Sequence, residues 1–94
     1  MTTAQVAEAA GISPSTAQRW SKKYGVLPVY VDQHGGRLGR QAVWPPESVE
    51  IAGLVRQMLD LGLSFEQIRE VQGRLSIAAL RVACAAGRNA LLGE

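Results

Sequence analysis

Residues 6–20 read VAEAAGISPSTAQRW, and the placing of Gly11, Ser13 and Pro14 within that stretch decides how the chain folds. Val6, Ala7 and Ala10 recur at helical spacing. Gly11 follows them, where a residue free to take the left-handed conformation closes a helix at little cost. Ser13 then suits an N-cap. Pro14 sits just behind it, where a missing N–H is harmless and a fixed φ favours the first turn. One helix, a tight turn and a second helix are predicted. Ile12, Ala17 and Trp20 carry the apolar set onto the second helix, with alanines where two short helices crossing steeply bring their backbones together.

The opposite side of that second helix holds Ser15, Thr16, Gln18, Arg19, Lys22 and Lys23, none of them acidic. A helix-turn-helix presents its second helix to the major groove of DNA, with residues of the first turns on base edges and cations on phosphates. Hydroxyls, an amide and three cations suit that use. The plainer alternative is the solvated face of an ordinary pair of helices.

Ninety-four residues make one domain of modest core. The net charge of +2 conceals an asymmetry, since residues 1–45 carry five Lys or Arg against Glu8 and Asp32, and the remainder carries five against six acids. The basic half therefore coincides with the helix-turn-helix, which favours a polyanionic partner through counterion release. Cys84 is the single cysteine. It excludes an internal disulfide or a cysteine cluster and fits a reducing compartment. No segment has the layout of a signal peptide or the apolar length of a membrane span, so a soluble, cytoplasmic protein without membrane contact is expected.

Taken in order, Thr2 suits the N-cap of the first helix, with Gln5 placed to complete a capping box. After the second helix, Tyr24-Gly25-Val26-Leu27-Pro28 reads as a stop. Val29-Tyr30-Val31 is β-branched and aromatic, and Arg37 to Val43 is placed to return as its partner in a small β-hairpin, or wing. Its glycine-rich tip carries His34, Arg37 and Arg40, suited to the DNA backbone or the neighbouring minor groove; a solvated loop is the alternative. With no second histidine and no paired acids nearby, His34 does not point to a metal ion. Trp44-Pro45-Pro46-Glu47 is expected to open a third helix that runs to about Leu61, burying Val49, Ala52, Val55, Met58 and Leu59. Gly62 ends it. Ser64 and Gln67 form a second capping box, and Phe65, Ile68 and Val71 supply the core face of a fourth helix. Trp44 and Met58 read as core.

On these residues the chain resembles the winged helix-turn-helix of MerR-like DNA-binding regulators, with a related small subset among phage and plasmid excisionases. The likeness covers residues 2 to about 72. It is carried by Thr2…Val6-Ala7…Gly11-Ile12-Ser13, by Ser15-Thr16…Arg19-Trp20, by the glycine and arginine wing ending at Trp44, and by the ungapped run Val49…Ala52…Val55…Met58…Leu61-Gly62-Leu63-Ser64-Phe65-Glu66-Gln67-Ile68-Arg69-Glu70-Val71. The resemblance implies that Ser15, Thr16, Gln18, Arg19 and Lys22 lie on the recognition helix, Lys23 on the backbone and Arg37 with Arg40 on the wing. Arg19-Trp20 and Val43-Trp44 depart from the family, which often has two aromatics at the first place and an arginine before the aromatic at the second. The length from Lys23 to Val43 also differs.

From Leu75 the chain is small and apolar. Ser76 suits a cap, and Ile77, Leu80, Cys84, Gly87 and Leu91 alternate three and four apart, the spacing of a short heptad seam. In the resembled family a long last helix pairs with its mate. Here the seam suits either self-association, as a homodimer or head-to-tail oligomer, or folding back on the Met58 to Val71 helices. No sensor domain is expected to fit, so metal or redox sensing is not expected. One histidine and one cysteine on separate elements make no catalytic constellation, and neither enzyme activity nor a cofactor is expected. The fold expected is mainly α with a small β-hairpin: a MerR-like winged helix-turn-helix over residues 1–73, including Thr2 on its DNA-facing side, and a C-terminal helix over 74–94. The function expected is sequence-specific binding of double-stranded DNA by a small transcriptional regulator or a phage-type architectural factor. The rival is a protein-binding adaptor of the chaperone-modulator type, docking a phage or host protein.

Overall fold

The computed structural model describes residues 2–28, 30–34 and 40–93, and for residues 31–34 and 40–42 it describes the backbone alone. Helix α1 (Thr3–Ala10) opens on a complete capping box, in which Thr2 Oγ1 accepts from the Gln5 N–H (3.2 Å) and Gln5 Oε1 from the Thr2 N–H (2.9 Å). It ends at Gly11, whose φ of 67° turns the chain so that the Ile12 N–H reaches the Ala7 carbonyl at 3.0 Å. Helix α2 (Pro14–Lys22) then begins under Ser13, whose hydroxyl accepts from the Thr16 N–H. Val6, Ala7, Ala10, Ala17 and Trp20 are all buried where the two helices meet the rest of the core.

Strands β1 (Val31–His34) and β2 (Arg40–Val43) pair antiparallel, Val31 opposite Val43 and His34 opposite Arg40. The first strand thus begins later than its β-propensity indicated, and takes in residues assigned to the tip. Tyr30 is the reason. It is buried and stacks on Trp44 with ring centroids 4.5 Å apart, so it belongs to the core beneath the ladder. Val29 and Arg37, assigned to the two strands, lie outside the described residues.

Helix α3 (Ser48–Asp60) starts after the two prolines, not at them. Pro46 pushes Pro45 out of the helical region, and Pro45 to Glu47 form a turn closed by the Ser48 N–H on the Pro45 carbonyl (3.0 Å). Its buried residues are Ser48, Ala52, Leu54, Val55 and Met58. Val49 and Leu59, expected in the stripe, are only partly buried, whereas Leu54 faces inward. Two faces of α3 are in use, because α1 packs on one side and the C-terminal segment on another. Helix α4 (Phe65–Arg74) carries the second capping box, Ser64 with Gln67, and buries Ile68 and Val71.

The C-terminal segment corrects the expectation of one seam-bearing helix. Helix α5 (Ile77–Ala86), capped by Ser76, stops at Gly87, whose φ of 115° and ψ of −176° lie in a region glycine alone takes readily. A short α6 (Arg88–Leu92) follows and packs on α4 and α5. Leu80, Cys84 and Leu91 are buried in the chain's own core, Ile77 is partly buried against it, and Arg74 Nη2 donates to the Leu91 carbonyl at 3.0 Å. A two-chain seam through these residues would require the monomer core to open. Arg81 of α5 pairs with Glu50 of α3, which ties the same segment down at the surface.

Candidate nucleic-acid interface

Helix α2 has one face committed to the core and the other to solvent, and the division follows its sequence period. Ala17, Trp20 and Ser21 are buried. Ser15, Gln18, Arg19, Lys22 and Lys23 are exposed, and Thr16 is half-buried. Ser21 Oγ donates to the Pro28 carbonyl at 2.8 Å, which holds the segment leaving the helix close against it. Ser15, Gln18, Arg19, Lys22, Lys23 and Tyr30 together line a shallow concavity of about 360 Å³.

Within this face the hydroxyls gather at one end and the cations at the other. Ser13 Oγ lies 2.8 Å from Thr16 Oγ1 and 3.2 Å from Ser15 Oγ. Arg19 Nη2 approaches Thr16 Oγ1 at 3.4 Å, so the threonine supports the guanidinium from below. The two lysines lie over aromatic rings, Lys22 Nζ 4.8 Å from the Tyr30 centroid and Lys23 Nζ 5.5 Å from that of Tyr24. Tyr24 stacks on Phe65 at 4.0 Å with the planes 7° apart, and Phe65 meets Trp20 edge to face. These rings were absent from the sequence-based site. Their partners lie far along the chain, and only the sequence Lys22-Lys23-Tyr24 hinted at one of them.

Arg69 of α4, also absent from that site, lies beside the turn that follows α2, close enough that a Cβ on Gly25 would stand 3.6 Å from its Nε. Gly25 has a φ of 67°, so the turn itself needs glycine. Thr2 caps α1 and lies outside the concavity. His34 and Arg40 face each other across the ladder by backbone register, and Arg37 lies outside the described residues.

Among the described residues no group of three His, Cys, Asp or Glu is placed to hold a metal ion, and no helix is long and apolar enough to cross a membrane. Cys84 is buried, and desolvation pushes its thiol above the ordinary value. That keeps it protonated and unreactive at neutral pH.

A family model described as MerR HTH family regulatory protein matches residues 1–75. The chain belongs to this family. No curated protein and no solved structure matches it. The match runs from the first capping box through the end of α4, so it includes the whole of the exposed α2 face. This MerR-family member is thus a helix-turn-helix DNA-binding protein, mainly helical, of a class that regulates transcription.

Proposed function

We propose that the chain binds double-stranded DNA in a sequence-specific manner, with α2 in the major groove and the β1–β2 wing against the backbone or the adjoining minor groove. One observation carries the reading: α2 buries one side and holds out an acid-free surface whose hydroxyls precede its cations. Nine residues of helix span about 13 Å, comparable with the width of the major groove. Ser15, Thr16, Gln18 and Arg19 then meet base edges, since the first turns of a recognition helix lie deepest. Lys22 and Lys23 meet phosphates. Arg37, Arg40 and His34 supply the wing contacts, and Thr2 a contact at the start of α1. The biological role is that of a small transcriptional regulator or a phage-type architectural factor.

A mobility-shift titration on a labelled duplex tests this directly. The wild type should shift the duplex at low salt, and the double substitution Lys22→Glu with Lys23→Glu should abolish the shift while leaving the fold intact by circular dichroism. A protein-docking adaptor would tolerate the double substitution in its partner binding and shift no duplex. Arg19→Ala should cost about 1 to 3 kcal/mol and relax selectivity at one base position if the guanidinium reads a base.

A further inference from the structure

Lys22 and Lys23 are neighbours in sequence, but each lies over a different ring, and each ring is held from behind by another. Tyr30 lies beneath Lys22 and stacks on Trp44, which is itself buried and donates its indole N–H to Thr3 Oγ1 at 2.9 Å. Tyr24 lies beneath Lys23 and stacks nearly parallel on Phe65, which in turn abuts Trp20. Two columns of aromatic rings thus rise from the core and end in a lysine ammonium beside the concavity of α2. A ring fixed on one face offers its other face, the electron-rich one, to a cation. Free lysine side chains are among the most flexible at a protein surface, and a lysine that must find a phosphate loses that freedom on binding.

We propose that Tyr24 and Tyr30 are positioning residues for DNA binding, pre-setting Lys23 and Lys22 for backbone phosphates so that less side-chain freedom is lost in the complex. The inference rests on the DNA-binding reading above. It concerns the ring faces, which act through the lysines, and it makes the affinity depend on side chains that carry no charge. Attraction of this kind at an exposed site corresponds to about 2- to 5-fold in affinity for each pair.

The test measures dissociation constants on a fluorescein-labelled duplex of mixed sequence at fixed low salt. Tyr24→Leu and Tyr30→Leu should each weaken binding about 2- to 5-fold, and Tyr24→Phe, which keeps the ring, should restore it. A double-mutant cycle separates positioning from folding. In a Lys23→Gln background Tyr24→Leu should have no further effect on affinity, and likewise Tyr30→Leu in a Lys22→Gln background, whereas a merely structural role would give the same loss in both backgrounds. A readout independent of DNA and of any substitution is the NMR shift of the lysine ε-methylene protons, which a ring face should move upfield in the wild type. Leucine variants that bind as tightly as the wild type, or lysine ε-protons at their solvent-exposed positions, would overturn the inference and leave DNA binding standing. A wild type that shifts no duplex would defeat both.

Discussion

Leu91→Ala is the substitution that most sharply separates a self-packed C-terminal segment from an intermolecular seam. Leu91 is fully buried, although it belongs to a five-residue helix at the end of the chain. Truncating a buried leucine to alanine costs about 2 to 5 kcal/mol, the upper end applying where the surroundings do not collapse into the space. The whole folded state of a chain this size is worth roughly 5 to 14 kcal/mol. Each kilocalorie lowers the midpoint by about 4 to 8 °C in a domain of this size, so the variant should melt about 8 to 40 °C lower. Urea unfolding monitored by tryptophan fluorescence should show the midpoint falling with its slope unchanged. The loss should be the same at every protein concentration, because the packing is within one chain. A loss under about 1 kcal/mol, well below the range for a buried leucine, or a wild-type midpoint that rises with concentration, would show that Leu91 works between chains and would refute the reasoning.

Gly87→Ala should also destabilise, by about 1 to 3 kcal/mol, since φ of 115° strains any residue with a Cβ; chemical denaturation checks it, and an unchanged or raised midpoint would show that the break between α5 and α6 is not required. Thr2→Ala and Ser64→Ala should each cost about 1 kcal/mol through loss of a capping box, read from the same curves. Burial raises the Cys84 thiol above its ordinary value of about 9.0. The unfolded chain therefore ionises first, and this residue's contribution to stability is intact below pH 9 and declines as pH climbs from there towards the folded value. Comparing wild type with Cys84→Ala from pH 7 to 10 isolates the effect from other titrating groups, and thiol-reagent labelling at neutral pH should be slow until the protein is unfolded.

Legibility in the sequence followed the range of the interactions. Thr2 with Gln5, Gly11, Ser13 with Pro14 and Ser64 with Gln67 act over a few residues, so their placing is legible in the sequence alone. The division of α2 into a buried side of Ala17 and Trp20 and an exposed side of Ser15, Gln18, Arg19, Lys22 and Lys23 was readable for the same reason. Gly87 was not, because the three-and-four spacing continues through it and periodicity alone does not say whether a glycine is tolerated or ends the helix. Tyr30 reads as a strand residue by propensity, and only its stacking on Trp44 moves it beneath the ladder. Leu54 fell off the expected stripe of α3 because a helix packed on two sides has no single apolar face. The rings under Lys22 and Lys23 depend on Trp44 and Phe65, contacts the local pattern does not encode.

The salt dependence of duplex binding tests most directly whether the α2 surface and its flanking cations meet DNA. Fluorescence anisotropy across a series of salt concentrations should give a log–log slope of roughly −3 to −4, the release expected when three or four cations meet phosphates. Removing both Lys22 and Lys23 as glutamines should flatten that slope by about two charges' worth. An affinity indifferent to salt, or no binding even at the lowest concentration, would mean that this surface was not made for nucleic acid.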